Sequence, residues 1–153
     1  MRKSFVIHEH HATNLHFDLR LEMEGVLRSW AVPKGPSMDP FDKRLAIAVP
    51  DHSISYGSFE GTLPKGTYGA GEVRIWDSGE YETDSDPAEQ VRRGKLVFTF
   101  YGKKVMGGFT LVKMKKQAKN WLLIKAEDKF ANVDWKLKTV LPPNRKLKQE
   151  RHD

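Results

Sequence analysis

The 153-residue chain contains no cysteine. This absence excludes a disulfide framework, a thiolate metal site and a cysteine nucleophile. Any metal ion must therefore be held by His, Asp or Glu side chains. Such ligands suit Mn, Zn, Fe or Mg rather than iron–sulfur chemistry.

Long apolar runs are missing as well. No stretch approaches the roughly 20 residues of a membrane span, and the opening MRKSFVIHEHH lacks the apolar core of a signal peptide. We therefore expect a soluble cytoplasmic protein with no membrane partner. The length suits one domain with a substantial core. We place that domain at residues 1–141, followed by a charged tail at residues 142–153 (PPNRKLKQERHD).

The net charge of +6 is unevenly distributed. Residues 1–94 hold 11 Lys and Arg against 15 Asp and Glu, whereas residues 95–153 hold 15 against 5. A basic half indicates a polyanionic partner such as nucleic acid, because neutralising phosphates releases counterions. A solvated, lysine-rich surface is the simpler alternative. Much of the excess comes from Lys103, Lys104, Lys113, Lys115, Lys116, Lys119 and Lys125.

Short alternating or apolar runs, separated by Gly and Pro, fill most of the chain and are typical of strands. They predict a mainly β fold, which we expect to be a compact, closed or nearly closed β-barrel, with a sandwich as the alternative. The predicted strands are residues 15–22, 26–32, 45–49, 72–76, 80–83, 96–101, 108–114 and 121–125. The sequence Asp-Ser-Gly at residues 77–79 predicts a hairpin turn between two of them.

Helix signals are few, and one or two short helices are expected. Asp86 is suited to an N-cap, Pro87 to the first helical position and Gly94 to the C′ position. A second short helical turn is predicted near residues 127–131. We expect residues 69–71 (GAG) to form a turn rather than a phosphate cradle, because no strand-to-helix context surrounds them.

The strongest pattern is the alternation along residues 15–22 (LHFDLRLE). A strand would project His16, Asp18 and Arg20 from one face, about 6.5–7 Å apart. An imidazole and a carboxylate are metal ligands, and a guanidinium binds phosphate. His10 and His11 lie just upstream, and either can supply a further ligand. The simpler interpretation is a strand with a solvated polar face.

A second segment carries polar residues of catalytic type. His52 and Tyr56 follow the predicted buried strand at residues 45–49. Lys34 lies in a Pro-rich loop, and Arg44 immediately precedes that strand. All four side chains are able to contact phosphate oxygens. Of the four tryptophans, we expect Trp135 to be exposed and the other three to be core residues, namely Trp30, Trp76 and Trp121.

Several long motifs, in order along the chain, resemble one known family. They are HHATNLHFDLRLE at residues 10–22, SWAVPKGP at 29–36, DH at 51–52 followed by Tyr56, FEG at 59–61, PKGTYGAG at 64–71 and NWLLIK at 120–125. The sequence resembles the 3′-phosphoesterase domain of bacterial DNA ligase D and its stand-alone bacterial and archaeal relatives. This resemblance covers roughly residues 4–131.

The resemblance implies a metal-dependent β-barrel phosphoesterase that heals DNA 3′ ends during non-homologous end joining. Such a domain removes a 3′-terminal ribonucleoside from a primer strand, leaving a 3′-phosphate, and then removes that phosphate. The implied metal is manganese, and the implied setting is DNA repair at the bacterial or archaeal nucleoid. The substrates are DNA or DNA–RNA primer-template 3′ ends, and a ligase and a polymerase are the implied partners.

The resemblance also implies roles for individual residues. His10, His16 and Asp18 correspond to metal ligands, and Arg20 and His52 to residues that hold the scissile phosphate, with Tyr56 nearby. The further phosphate contacts implied are Lys34 and Arg44. His8 and His11 do not match histidines of the family pattern.

Two other functions fit parts of the pattern. His16, Asp18 and His52 together resemble the facial triad of an iron(II) oxygenase, although that interpretation leaves Arg20 unexplained. The basic C-terminal half alone fits a non-catalytic nucleic-acid-binding barrel.

Overall fold

The computed structural model describes residues 1–67 and 69–142 of the chain. These residues form nine strands, one α-helix (α1, Pro87–Arg92) and one 3₁₀ helix (Ile54–Ser58). The strands are β1 (Arg2–His11), β2 (Leu15–Met23), β3 (Val26–Val32), β4 (Lys43–His52), β5 (Gly61–Leu63), β6 (Gly71–Glu82), β7 (Lys95–Tyr101), β8 (Met106–Lys113) and β9 (Asn120–Lys125). Strand β1 was not among the predicted elements.

Eight of the strands close into an antiparallel barrel. They pair in the order β1-β2-β3-β4-β9-β8-β7-β6, and β6 pairs back onto β1. The short strand β5 pairs with the first residues of β6, beyond the stretch of β6 that pairs with β7. The predicted mainly β fold and its closed barrel are therefore confirmed.

The barrel interior holds one hydrophobic core. Along β2, Phe17, Leu19 and Leu21 are each no more than 2% exposed and lie on the inner face, as the alternation predicts. Burial of each such side chain contributes about 1.5–3 kcal/mol. The core position of the three tryptophans is confirmed for Trp30, Trp76 and Trp121.

The helix predicted in the middle of the chain is confirmed. Pro87 opens α1 and Gly94 follows its end with a φ of 87°, the left-handed conformation that glycine adopts readily. The Asp86 side chain makes no capping hydrogen bond. Near residues 127–131, where a short helical turn is predicted, the structure has a single turn in which the Ala131 amide donates to the Asp128 carbonyl at 3.0 Å.

The hairpin predicted at residues 77–79 is wrong, because β6 runs through them without a break. Asp77 uses its carboxylate to hold a different loop, the one between β7 and β8. Its two oxygens accept from the backbone amides of Lys103, Lys104 and Val105 at 2.8–3.0 Å. Asp77 does stabilise a turn, as its residue type indicates, but that turn is distant from it in sequence.

Residues 132–141 form a strap across one end of the barrel. Two backbone amides of the strap, those of Val140 and Leu141, donate to the buried Glu9 carboxylate at 2.6 and 2.9 Å. Trp135 packs against the core and donates its indole N–H to the Pro36 carbonyl at 3.2 Å. Trp135 is therefore half-buried rather than exposed, although it is the least buried of the four tryptophans.

Within the described residues, no helix is both long and apolar enough to cross a membrane. Of the tail predicted at residues 142–153, residues 143–153 lie outside the described residues. The domain boundary at residue 141 stays a prediction.

Candidate functional site

The polar faces of β1 and β2 lie side by side on the outer wall of the barrel. Asp18 and Arg20 lie on the face of β2 opposite the core, and the strand register places His10 opposite His16 and His8 opposite Asp18. Asp18 is 6% exposed and Arg20 is 4% exposed. The alternative of a solvated polar face is therefore wrong for these two residues.

The chain that follows β4 covers this wall and creates a pocket. The 3₁₀ helix Ile54–Ser58 lies over β3 and brings Tyr56 above the strands. Thr67, Gly69 and Ala70 enclose a second side. The pocket has a volume of about 360 Å³ and is lined by His10, Ala12, Thr13, His16, Asp18, Arg20, Ala31, Val49, Pro50, His52, Tyr56, Leu63, Thr67, Gly69 and Ala70.

Three groups able to hold a metal ion converge at one end of the pocket. One ligand atom from each of His10, His16 and Asp18 lies within 4.8 Å of the other two. His10 Nδ1 lies 3.1 Å from His16 Nε2 and 3.4 Å from Asp18 Oδ2. His16 Nε2 lies 3.3 Å from Asp18 Oδ1. Two imidazoles and one carboxylate leave open coordination positions, as a catalytic metal site requires.

Backbone carbonyls fix the orientation of both imidazole rings. The Nε2 atom of His10 lies 3.1 Å from the Ala70 carbonyl, and the Nδ1 atom of His16 lies 3.2 Å from the Asn14 carbonyl. A ring nitrogen that donates to a carbonyl leaves the other nitrogen with its lone pair. In the neutral rings, His10 Nδ1 and His16 Nε2 are therefore the nitrogens that would offer lone pairs to a metal ion. A protonated ring instead donates from the same nitrogen to Asp18. Metal-binding histidines are commonly oriented in this way.

The local charges favour an ionised carboxylate. Burial raises the pKa of Asp18, but hydrogen bonds from His10 and His16, together with the charges of His16 and Arg20, outweigh burial and hold this pKa well below its ordinary value. Burial lowers the pKa of His16, but its contacts with Asp18 raise it above the ordinary value. Asp18 is therefore a carboxylate across the physiological range.

Arg20 forms the opposite end of the polar cluster. Its Nη2 donates to Asp18 Oδ2 at 3.3 Å and its Nη1 to Ser29 Oγ at 2.9 Å. Its guanidinium carbon lies 5.1 Å from the centre of the Tyr56 ring. A buried guanidinium held on several sides is a preorganised donor for phosphate oxygens.

His8 contacts Arg20 directly. His8 Nδ1 accepts from Arg20 Nε at 3.0 Å, and His8 Nε2 lies 3.1 Å from the Phe59 carbonyl, to which it donates. Burial, followed by the charge of Arg20, lowers the pKa of His8 to about 4. His8 is therefore neutral at physiological pH. Its proton is on Nε2, which leaves Nδ1 free to accept the hydrogen bond from Arg20.

His52 and Tyr56 form a stacked pair above Arg20. Their ring centres lie 4.2 Å apart at an angle of 20°, and Phe59 stacks on the other face of Tyr56 at 5.0 Å. Burial and then the charge of Arg20 lower the pKa of His52. Burial raises the pKa of Tyr56. Both groups are therefore neutral hydrogen-bond donors at physiological pH.

The structure does not place Lys34 and Arg44 among the residues that line the pocket within the described part of the chain. Lys34 is exposed in the loop after β3. Arg44 pairs with Leu123, a core residue, and its guanidinium lies 3.5 Å from the Asp42 carboxylate. Its backbone position is thus on the inner face of β4, opposite the site. Phosphate contact by either residue stays a prediction.

Sequence reasoning missed two parts of the cluster, His8 and Ser29. A signal for His8 was present, because His8 and His10 have the same two-residue spacing as His16, Asp18 and Arg20. His11, the other unassigned histidine, lies inside the barrel with its Nε2 atom 2.6 Å from a Glu9 oxygen. Successive side chains of β1 point to opposite faces of the sheet, so His10 faces the site and His11 does not.

The site also bears on the oxygenase alternative. That interpretation needs His52 beside His16 and Asp18. In the structure His10 completes the cluster, and His52 stacks on Tyr56.

The sequence is similar to known proteins over most of its length. Residues 8–113 match the family model described as the DNA ligase D 3′-phosphoesterase domain. The chain is 45% identical over 126 residues to the "Multifunctional non-homologous end joining protein LigD" of Pseudomonas aeruginosa, covering 81% of this chain and 15% of the relative.

Two further relatives belong to mycobacteria. The LigD protein of Mycolicibacterium smegmatis is 46% identical over 132 residues, which covers 81% of this chain and 17% of the relative. The "Multifunctional non-homologous end joining DNA repair protein LigD" of Mycobacterium tuberculosis is 44% identical over 113 residues, or 72% of this chain and 14% of the relative. The chain thus spans less than a fifth of the length of these relatives. It belongs to the DNA ligase D 3′-phosphoesterase domain family.

Proposed function

We propose that this chain is a manganese-dependent 3′-phosphoesterase that heals DNA 3′ ends during non-homologous end joining in the cytoplasm. The observation that carries this function is the convergence of His10, His16 and Asp18 within 4.8 Å, beside the buried guanidinium of Arg20. A metal site next to a phosphate-binding cation is the arrangement that phosphate-ester hydrolysis needs.

Two successive hydrolyses account for the proposed healing of an end. In the first, water attacks the phosphorus that joins a terminal ribonucleoside to the primer. The bond to the 5′ oxygen of that ribonucleoside breaks, and a 3′-phosphate remains on the primer. In the second, water attacks this 3′-phosphate and the bond to the primer 3′ oxygen breaks. Inorganic phosphate leaves, and a 3′-OH becomes available to a polymerase or ligase.

The residues present fit a divalent metal. His10 Nδ1, His16 Nε2 and a carboxylate oxygen of Asp18 would hold it, and this mixture of nitrogen and oxygen ligands suits manganese. When bound, such a metal lowers the pKa of water and neutralises charge on a phosphate oxygen. Asp18 is already ionised and both rings are already oriented by carbonyls, so binding would require little rearrangement.

The remaining residues act on the phosphate. Arg20 is suited to hold two of its oxygens in a fixed fork, and His8 and Ser29 keep that fork in place. His52, which is neutral at physiological pH, is suited to donate a hydrogen bond to the phosphate. Tyr56 lies between His52 and Phe59 and positions the histidine ring.

The names of the relatives support the pathway. All three are named as multifunctional proteins of non-homologous end joining. We therefore propose DNA and DNA–RNA primer-templates as substrates, with a ligase and a polymerase of the same system as partners.

A gel assay tests this function. A labelled primer-template ending in one ribonucleotide, or in a 3′-phosphate, is incubated with the protein and manganese. We expect loss of the ribonucleoside and then of the phosphate, with both steps abolished by EDTA. Binding without any metal-dependent product would overturn the proposal and favour the non-catalytic nucleic-acid-binding barrel.

A further inference from the structure

The connection between β8 and β9 is the most basic turn near the pocket. The last residue of β8 and the connection itself, residues 113–119 (KMKKQAK), are here called the lysine turn and contain four lysines and no acidic residue. All four lysine side chains are exposed. Among the residues that the structure describes, none of these lysines forms an ion pair (Lys113, Lys115, Lys116 and Lys119). Their charge is therefore available to an external anion.

The lysine turn lies directly beside one wall of the pocket. Its Lys119 carbonyl accepts from the backbone amide of Ala48 on β4 at 2.7 Å. The next two residues of β4, Val49 and Pro50, line the pocket. The turn is also held internally, because the Met114 amide donates to the Asn120 carbonyl at 2.9 Å. These contacts fix a positively charged surface at the pocket rim.

The other rims carry much less positive charge. The turn between β1 and β2 contributes Ala12 and Thr13, which line the pocket and are uncharged. The segment at residues 64–70 contains one cation, Lys65. A polyanion entering the pocket is therefore attracted most strongly to the β4 side, where the lysine turn lies.

We propose that the lysine turn binds the phosphate backbone of the duplex that leads to the reacting 3′ end. This inference rests on the proposed function, because it assumes that the pocket receives a terminal phosphate. Only the end of a primer fits a pocket of about 360 Å³, so the preceding duplex must pass over its rim. Lysines contact phosphates without reading sequence, which suits an activity that meets ends of any sequence.

The test compares two double variants of equal charge. Lys115→Gln/Lys119→Gln alters the lysine turn. Lys103→Gln/Lys129→Gln is the matched control, because these exposed lysines flank the opposite end of the β8–β9 hairpin, about 24 Å away along β8. Affinity for a labelled primer-template is measured by fluorescence anisotropy between about 50 and 200 mM salt, the range over which counterion release is pronounced.

For the wild-type protein and the control variant we expect the same slope of log affinity against log salt. In the Lys115→Gln/Lys119→Gln variant the slope becomes shallower by about 2, because each lost phosphate contact removes about one unit. An unchanged slope in this variant, or an equal change in the control, would overturn the assignment of the surface.

A second readout separates this surface from the chemistry. Both double variants are assayed with manganese on a 3′-phosphorylated dinucleotide, which is too short to reach the lysine turn. We expect the wild-type kcat in each variant, while the KM for the long primer-template rises only in the Lys115→Gln/Lys119→Gln variant. Absence of manganese-dependent turnover of the long primer-template by the wild-type protein would refute the proposed function, whereas normal turnover with an unchanged KM in the Lys115→Gln/Lys119→Gln variant would refute only the duplex surface.

Discussion

Two parts of the barrel wall follow the same alternation and have opposite outcomes. On β2, the outward residues Asp18 and Arg20 are buried under the chain that follows β4. On β7, the outward residue Val97 is 53% exposed, so most of its side chain remains in solvent. Polar residues are thus buried on one wall while an apolar residue remains in solvent on the other.

The difference shows that strand alternation determines only which face of the sheet a side chain occupies. Whether that face meets water depends on what covers it. The covering segment places Tyr56 beside His52 at the end of β4, removes water from Arg20 and turns a polar strand face into a pocket. In such surroundings electrostatic interactions are stronger than in water, so the covered wall is where we expect substitutions to change chemistry.

The largest effect is expected from Asp18→Asn on the covered wall. The amide has nearly the same shape but lacks the charge that a cation requires, so manganese-dependent turnover should fall by at least about 10³-fold. Steady-state assays measure the loss of turnover, and isothermal titration with manganese measures the accompanying loss of metal affinity. Asp84→Asn, at an exposed position, should leave both values unchanged. Full activity in Asp18→Asn would contradict the metal assignment.

A loss of about 10²–10³-fold in kcat is expected for Arg20→Lys, because an ammonium group cannot reproduce the two-pronged contact with phosphate. Manganese affinity should change little, which distinguishes this variant from Asp18→Asn. Arg93→Lys, at the exposed end of α1, is the matched control, because it makes the same substitution away from the site. If Arg20→Lys retained wild-type kcat, the guanidinium would not be the phosphate clamp.

A smaller effect, about 10–100-fold in turnover, is expected for His8→Ala, since partners that orient a functional side chain commonly contribute this much. His8→Gln should recover most of the activity. Its amide can accept from Arg20 Nε and donate to the Phe59 carbonyl, as the histidine does. Equal kcat values for the two variants, at equal thermal stability, would show that His8 does not position Arg20.

The smallest effect is expected on the open wall. Val97→Thr replaces one β-branched side chain with another at an exposed strand position, so the free energy of unfolding should change by no more than about 0.5 kcal/mol and turnover should be unaffected. Urea denaturation and the gel assay check these values. A large loss of activity would mean that the open wall also takes part in function.

Much of the barrel could be predicted because its strands depend on local patterns. Residues 26–32 were predicted as a strand with the bounds that the structure has, and α1 followed from Pro87 and Gly94. The hairpin at residues 77–79 failed because the carboxylate of Asp77 stabilises a loop 26–28 residues away. A side chain that forms turns locally also caps distant loops, and sequence spacing does not distinguish the two.

The candidate site shows the same division. Its central alternation, His16, Asp18 and Arg20, was visible in the sequence, and the family motifs drew attention to His10 and His52. The contact between His8 and Arg20 was not visible, because β1 joins an apolar run at residues 5–7 to a polar run at residues 8–11 and shows no apolar–polar alternation. Arg44 stood close to the motif in sequence, yet its strand position is on the inner face.

The sequence by itself determined the class of fold, the absence of thiolate chemistry and the set of metal-binding residue types. Those properties depend on composition and on the two-residue period of a strand, which are local. The tertiary structure decided that His10, rather than His11, meets His16 and Asp18. It also decided that Arg20 is buried and that the lysine turn lies at the pocket rim. Closure of the barrel and the passage of the segment after β4 over the strands bring these groups together. Neither can be read from residue spacing along the chain.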